Sequence, residues 1–126
     1  MTDLRLEDFL CTGDISIVVA MQRISNNRHG ILFITDSELH LLGSLTDGDI
    51  RRWLVKTGDL AAPITKVMFK SPSFVLENHK DKALEIMQRK TITALPVLDT
   101  NKTIISIVFA SENELLKAFQ WMVSNE

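Results

Sequence analysis

At 126 residues the chain has a common single-domain length, enough to bury roughly two-thirds of its unfolded surface without disulfides or a structural metal. Its 45% hydrophobic and 24% charged residues, with five Gly and three Pro, describe a globular domain and exclude a disordered chain. A net charge of −2 without a Lys/Arg tract gives no reason to invoke nucleic acid or an anionic membrane. The lone Cys11 excludes an internal disulfide scaffold, and the lack of a signal peptide or an apolar window of about 20 residues points to a cytoplasmic protein.

In chain order, Ser16 is a candidate N-cap, followed by Ile17, Ala20, Met21 and Ile24 on one helical face. Gly30 is placed to close that helix in the left-handed conformation. Residues 31–35 and 39–45 are apolar runs of strand length around a polar turn at 36–38, which predicts a hairpin buried under helices. Ile50, Trp53 and Leu54 begin another helical stripe. The stretch 56–63, with Gly58 and Pro63, is too short to separate independent domains.

Beyond it, residues 68–72 lead into a short run at 74–76, and Asn78 stands as N-cap of a helix carrying Ala83, Leu84 and Met87. Runs at 95–98 and 103–109 predict a second hairpin. A last helix carries Leu115, Leu116, Phe119 and Met122. The methionines mostly fall at core spacing and read as packing.

The order repeats because the sequence repeats. A shift of 63 lays Ala20 on Ala83, Ile24 on Met87, Leu32 on Leu95, Ile34 on Val97, Asp36 on Asp99 and Leu42 on Ile105. One α/β domain of two related copies is predicted, about 10–56 and about 68–120, with two small sheets packed together.

The segment Gly43-Ser-Leu-Thr46-Asp-Gly-Asp49-Ile-Arg51-Arg52 and its partner Thr93-Ala-Leu-Pro-Val-Leu-Asp99 resemble the paired repeats of CBS domains over about residues 10–120. The wording Leu45-Thr-Asp-Gly-Asp-Ile-Arg-Arg52 is most similar to CBS pairs attached to sugar-phosphate nucleotidyltransferases, and next to those attached to arabinose-5-phosphate isomerases. The resemblance implies tandem β-α-β-β-α repeats with pseudo-two-fold symmetry and helices outside, disc-shaped homodimers, and clefts that often hold AMP, ADP or ATP. In those clefts Gly-x-x-Thr-x-x-Asp supplies a hydroxyl near the phosphate and a carboxylate to the ribose, which falls here on Gly43, Thr46 and Asp49. The opposite wall would be Thr12, Asp14, Ile15, His29, Gly30 and Ile31, sandwiching the base. No obligatory cofactor is implied.

The residues themselves leave two readings open. A strand ending where a helix begins offers free N–H groups suited to phosphate. Yet Thr46-x-x-Asp49 is equally a capping box. Arg51 and Arg52 oppose the helix dipole in its first turn, which a bound phosphate would relieve, or else they pair with Asp47 or Asp49. His29 could stack on a base or simply cap a helix end. In the second copy Ser111-x-x-Glu114 repeats the box at a shift of 65, Ser106 replaces Gly43, and Phe109 stands at the threonine position. One good site is therefore expected, in copy one.

Enzyme readings find no support: His29, His40, His79 and Cys11 lack metal-ligand spacing, and no phosphate loop or nucleophile elbow is present. Cys11 reads as a buried small hydrophobe. Trp53 and Trp121 mark either core or a dimer face. The expectation is a regulatory module that binds an adenosine nucleotide and controls a sugar-phosphate nucleotidyltransferase. The alternatives are a ligand-free dimerisation module and, more remotely, a subunit completing a partner's active site.

Overall fold

The computed structural model describes residues 5–124. The chain divides into two compact units, Met1–Pro72 and Ser73–Glu126. In the first, a 3-10 turn (Leu6–Phe9) precedes β1 (Leu10–Thr12), α1 (Ile17–Asn27), β2 (Ile31–Thr35), β3 (Leu41–Thr46), α2 (Asp47–Thr57) and a 3-10 turn at Ile64–Lys66. The sheet order is β1-β2-β3, with β1 parallel and β3 antiparallel to β2. Parallel neighbours need a crossover, and α1 provides it.

Ser16 caps α1 as its sequence position predicts, accepting the Val19 N–H at 3.3 Å. Ile17, Ala20 and Ile24 pack on Leu32 and Ile34 of β2, Leu45 of β3 and Ile50 of α2. Met21, assigned to the same stripe, stays exposed at its edge. The helix closes two residues earlier than predicted, because Arg28 takes the left-handed conformation (φ 63°) and donates to the Ile24 carbonyl. Gly30, also left-handed at φ 70°, instead turns the chain into β2.

The second unit repeats the plan: β4 (Val75–Leu76), a 3-10 turn (Glu77–Lys82), α3 (Ala83–Lys90), β5 (Ala94–Leu98), β6 (Ile104–Phe109) and α4 (Glu112–Ser124), in sheet order β4-β5-β6. The two mixed sheets with their helices make the predicted α/β succession β-α-β-β-α, twice. Asn78 caps nothing: it lies in the 3-10 turn, and the non-helical backbone of His79 delays α3 to Ala83. On α4 Leu115 is buried and Leu116 exposed, whereas the side chains of Phe119 and Met122 lie outside the described residues.

Both hairpins rest on one device. Asp36 Oδ1 accepts the backbone N–H groups of Glu38 and His40, each at 2.9 Å. Asp99 Oδ1 does the same for Asn101 and Thr103, each at 2.9 Å. Leu39 and Lys102 take φ of 67° and 63° in the two loops. A left-handed residue cannot continue a strand, so β3 starts at Leu41 and not at residue 39. The irregularity in the ladder repeats too, between Ile34 and Thr35 and between Val97 and Leu98.

Residues 62–69 run back across the first unit. Ile64 is fully buried, its N–H donates to the Ile15 carbonyl at 3.0 Å, and Phe69 exchanges backbone hydrogen bonds with Ser44 at 2.8 and 3.0 Å. Gly43 permits that approach. A Cβ there would stand 2.7 Å from Met68 Sδ and 2.9 Å from the Phe69 carbonyl oxygen. Gly43→Ala is therefore expected to cost roughly 1–3 kcal/mol of stability, read as a lower urea midpoint; an unchanged midpoint would show that the segment yields freely.

Candidate functional site

No residue separates β3 from α2: Thr46 ends one and caps the other. Its Oγ1 accepts the Asp49 N–H at 3.2 Å, while Asp49 Oδ2 accepts the Thr46 N–H at 2.9 Å and the Thr46 hydroxyl at 3.0 Å. The capping box is thus fully formed. The other oxygen, Asp49 Oδ1, accepts from Arg52 at 2.7 Å. Arg52 is 74% exposed and the Asp49 side chain 17%, so the guanidinium is a solvent-side tether over a half-buried carboxylate.

The β2–β3 register sets what surrounds this joint. Ile31 lies opposite Thr46, so the chain enters β2 through His29 and Gly30 next to the start of α2. Gly30 lies so near α2 that a Cβ on it would stand 3.4 Å from Asp47 Oδ2. His29 is exposed; its N–H donates to Asn27 Oδ1 at 3.0 Å and its ring meets Phe9 edge-on at 5.5 Å. These contacts orient the imidazole without burying it.

Four predicted residues are not brought there. Thr12 lies opposite Thr35, at the other end of β2, four residues or about 13 Å away. Ile15 follows it, fastened to Ile64. The Thr12 hydroxyl donates instead to Asp14, holding that carboxyl below its ordinary value. Gly43 is buried against Met68 and Phe69. Arg51, two positions beyond Asp49, is rotated about 200° around α2 and faces a groove between α1 and α2 that Gly30 and Asp47 also line. Arg28 lines the same groove, and nothing in the sequence marked it, because only the packing of α1 on α2 brings it to the groove that Arg51 lines.

Cys11 is buried, and burial pushes its thiol up to about 11, so thiolate is scarce near neutrality. Among the described residues no three of His, Cys, Asp and Glu are grouped to hold a metal ion, and no helix is long and apolar enough to cross a membrane.

Residues 3–56, covering the Thr46–Asp49 joint, match the family model of the CBS domain. Among solved structures, a CBS domain protein from Pyrobaculum aerophilum complexed with AMP superposes with a TM-score of 0.69 at 21% identity, over 88% of this chain and 90% of that one. The CBS domain pair of protein MJ0100, in complex with 5-methylthioadenosine and S-adenosyl-L-methionine, gives the same score, identity and coverage. The fold is that of a CBS domain pair. Within the pair, the matched copy is the one that carries Gly43, Thr46 and Asp49.

Among curated proteins, arabinose 5-phosphate isomerase GutQ of Escherichia coli K12 is 34% identical over 87 residues, 68% of this chain and 27% of that protein. The Salmonella typhi counterpart is 34% identical over 89 residues. This chain spans only about a quarter of the length of these relatives. The enzyme context they carry is the isomerase, the second of the two suggested by the wording of residues 45–52, and not a nucleotidyltransferase.

Two outcomes follow from the joint and the buried thiol. Thr46→Ala is expected to lower stability by about 1 kcal/mol through loss of the cap, with Thr46→Ser close to neutral, by chemical denaturation. Cys11 should react with an aromatic disulfide reagent at pH 7 only as fast as the first unit unfolds; labelling faster than unfolding would contradict its burial.

Proposed function

We propose that this CBS pair is a regulatory module whose first unit binds an adenosine nucleotide at the Thr46–Asp49 joint and whose occupancy controls an enzyme acting on a sugar phosphate. The observation that carries the reading is the contrast between copies. The first joins strand to helix without a spacer and offers the short carboxylate of Asp49. The second inserts Ala110 and Ser111 and caps α4 with the longer Glu114, whose Oε1 lies 3.5 Å from the Ser111 nitrogen. The AMP complex of the Pyrobaculum aerophilum protein and the adenosine-derived ligands of MJ0100 support the ligand class.

Binding at the joint requires a small exchange. Among the described residues Asp49 Oδ1 is held by exposed Arg52 alone, and a surface pair of this kind contributes about 0–1 kcal/mol. A ribose hydroxyl can take the place of Arg52, leaving Oδ2 to keep the cap. His29, Gly30 and Ile31 then flank the nucleoside. The isomerase context of the relatives favours a sugar-phosphate isomerase over a nucleotidyltransferase as the regulated enzyme. Regulation further requires that the nucleotide favour one arrangement of the protein over another.

A second reading is favoured by one specific feature: both Asp49 oxygens already have donors, as a purely structural cap would require. On that reading the chain is a ligand-free dimerisation module, and exposed apolar side chains such as Val55 and Trp121 belong to its self-association. Thermal melts separate the two. With AMP, ADP or ATP at about 100 times the dissociation constant, stabilisation of about 2.7 kcal/mol is expected, visible as a higher Tm. Asp49→Ala should melt lower and lose the nucleotide response. If no nucleotide moves the Tm at millimolar concentration while sedimentation shows a dimer, the dimerisation reading stands instead.

A further inference from the structure

A groove of about 750 Å3 lies in the first unit between the last turns of α1 and the first turns of α2. Its floor is apolar, with Ile24, Ile50 and Leu54, and its charged residues are Arg28, Asp47 and Arg51. The second unit has a groove of about 300 Å3 at the equivalent place, where Thr91 stands for Arg28, Leu115 for Ile50, Leu116 for Arg51 and Glu112 for Asp47. The fold makes this groove twice. Only the first copy is lined with cations: two arginines and one carboxylate, against a single carboxylate in the second.

Among the described residues Arg28, Asp47 and Arg51 form no ion pair, although neighbouring Arg52 does, with Asp49. Arg28 occupies a left-handed position (φ 63°) where glycine or asparagine is less strained. Arg51, the fifth residue of α2, lies beyond the first turn, so no capping role accounts for it. Both side chains are exposed, so no desolvation penalty forces them to find a partner within the protein. Two exposed guanidinium groups that form no ion pair among the described residues and share one cavity, which the second copy lines without a cation, point to an anion outside the chain.

We infer that the α1–α2 groove of the first unit binds a small organic phosphate, its phosphoryl group between Arg28 and Arg51 and its carbon skeleton on the apolar floor. The guanidinium fork is suited to phosphoryl oxygens. The volume falls in the range of small-molecule sites, about 300–1,000 Å3. The groove adjoins the nucleotide joint at Gly30 and Asp47, but its arginines face away from Asp49, because Arg51 and Asp49 are rotated about 200° apart on α2. Asp47, the one acid in the groove, opposes the anion and limits its affinity.

Amide chemical shifts of the whole chain, titrated with phenyl phosphate and in parallel with phenol and inorganic phosphate, test the inference. Saturable shifts are expected at Gly30 and Asp47 with phenyl phosphate, with Thr91 and Glu112 unmoved, and weaker binding of either control. Arg28→Gln and Arg51→Gln should each weaken phenyl phosphate by roughly tenfold, whereas Asp47→Asn should tighten it severalfold. Asp49→Ala should leave it unchanged, so failure here and failure of the nucleotide reading are told apart. The inference is overturned if no saturable shift occurs by about 10 mM, if the second unit responds equally, or if both arginine variants bind like the parent protein. It is also overturned if sedimentation shows that those variants change self-association instead, which would make the groove a contact between copies.

Discussion

The pairing of β2 with β3 decides where every residue of the candidate site lies, and a carboxylate in the loop holds it. By accepting the N–H groups of Glu38 and His40, Asp36 closes a loop of defined length, and loop length sets register. Ile31 then falls opposite Thr46, so the strand that α1 leads into starts beside the helix that β3 leads into. A slip of one residue would exchange the two faces of β3 and carry Thr46 away from Gly30. Asp99 repeats the arrangement in the second unit, which explains why this aspartate is among the positions where the copies agree.

Given a common scaffold, the differences between copies become informative. The hairpin strands, their loops, the ladder irregularity and the end of the first helix recur at an offset of 63, with Arg28 and Thr91 both left-handed and the bulge at matching positions. These features are demanded by backbone hydrogen bonding and tolerate many side chains. What changes are the groups that chemistry would use: the tight strand-to-helix joint, the carboxylate length, and the two arginines of the groove. The CBS fold thus supplies two equivalent platforms, and the first bears the polar equipment.

Much of the fold was legible because its signals are local or periodic. The helical stripes, the alternation of runs and turns, and the 63-residue repeat placed all the main helices and both hairpins. The errors were of two kinds. Met21 and Asn78 satisfied a local pattern that packing or backbone geometry overruled. Gly30 and the start of β3 were displaced because Arg28 and Leu39 adopt left-handed conformations that their side chains do not advertise. At the site, Thr46 and Asp49 were readable because a capping box joins residues three apart. Thr12 and Ile15 were grouped with them although the parallel β1–β2 crossover leaves them at the opposite end of β2.

The amino-acid sequence alone determined the repeat, the β-α-β-β-α succession and the cap of α2, since each depends on residues close along the chain or on a periodicity that survives without coordinates. Tertiary structure alone decided which faces meet. Gly43 lies against Met68 and Phe69, and Arg51 lines the groove that Arg28 also lines. Each of these contacts joins segments more than twenty residues apart, and their meeting depends on sheet register and helix packing, which no single stretch of sequence encodes.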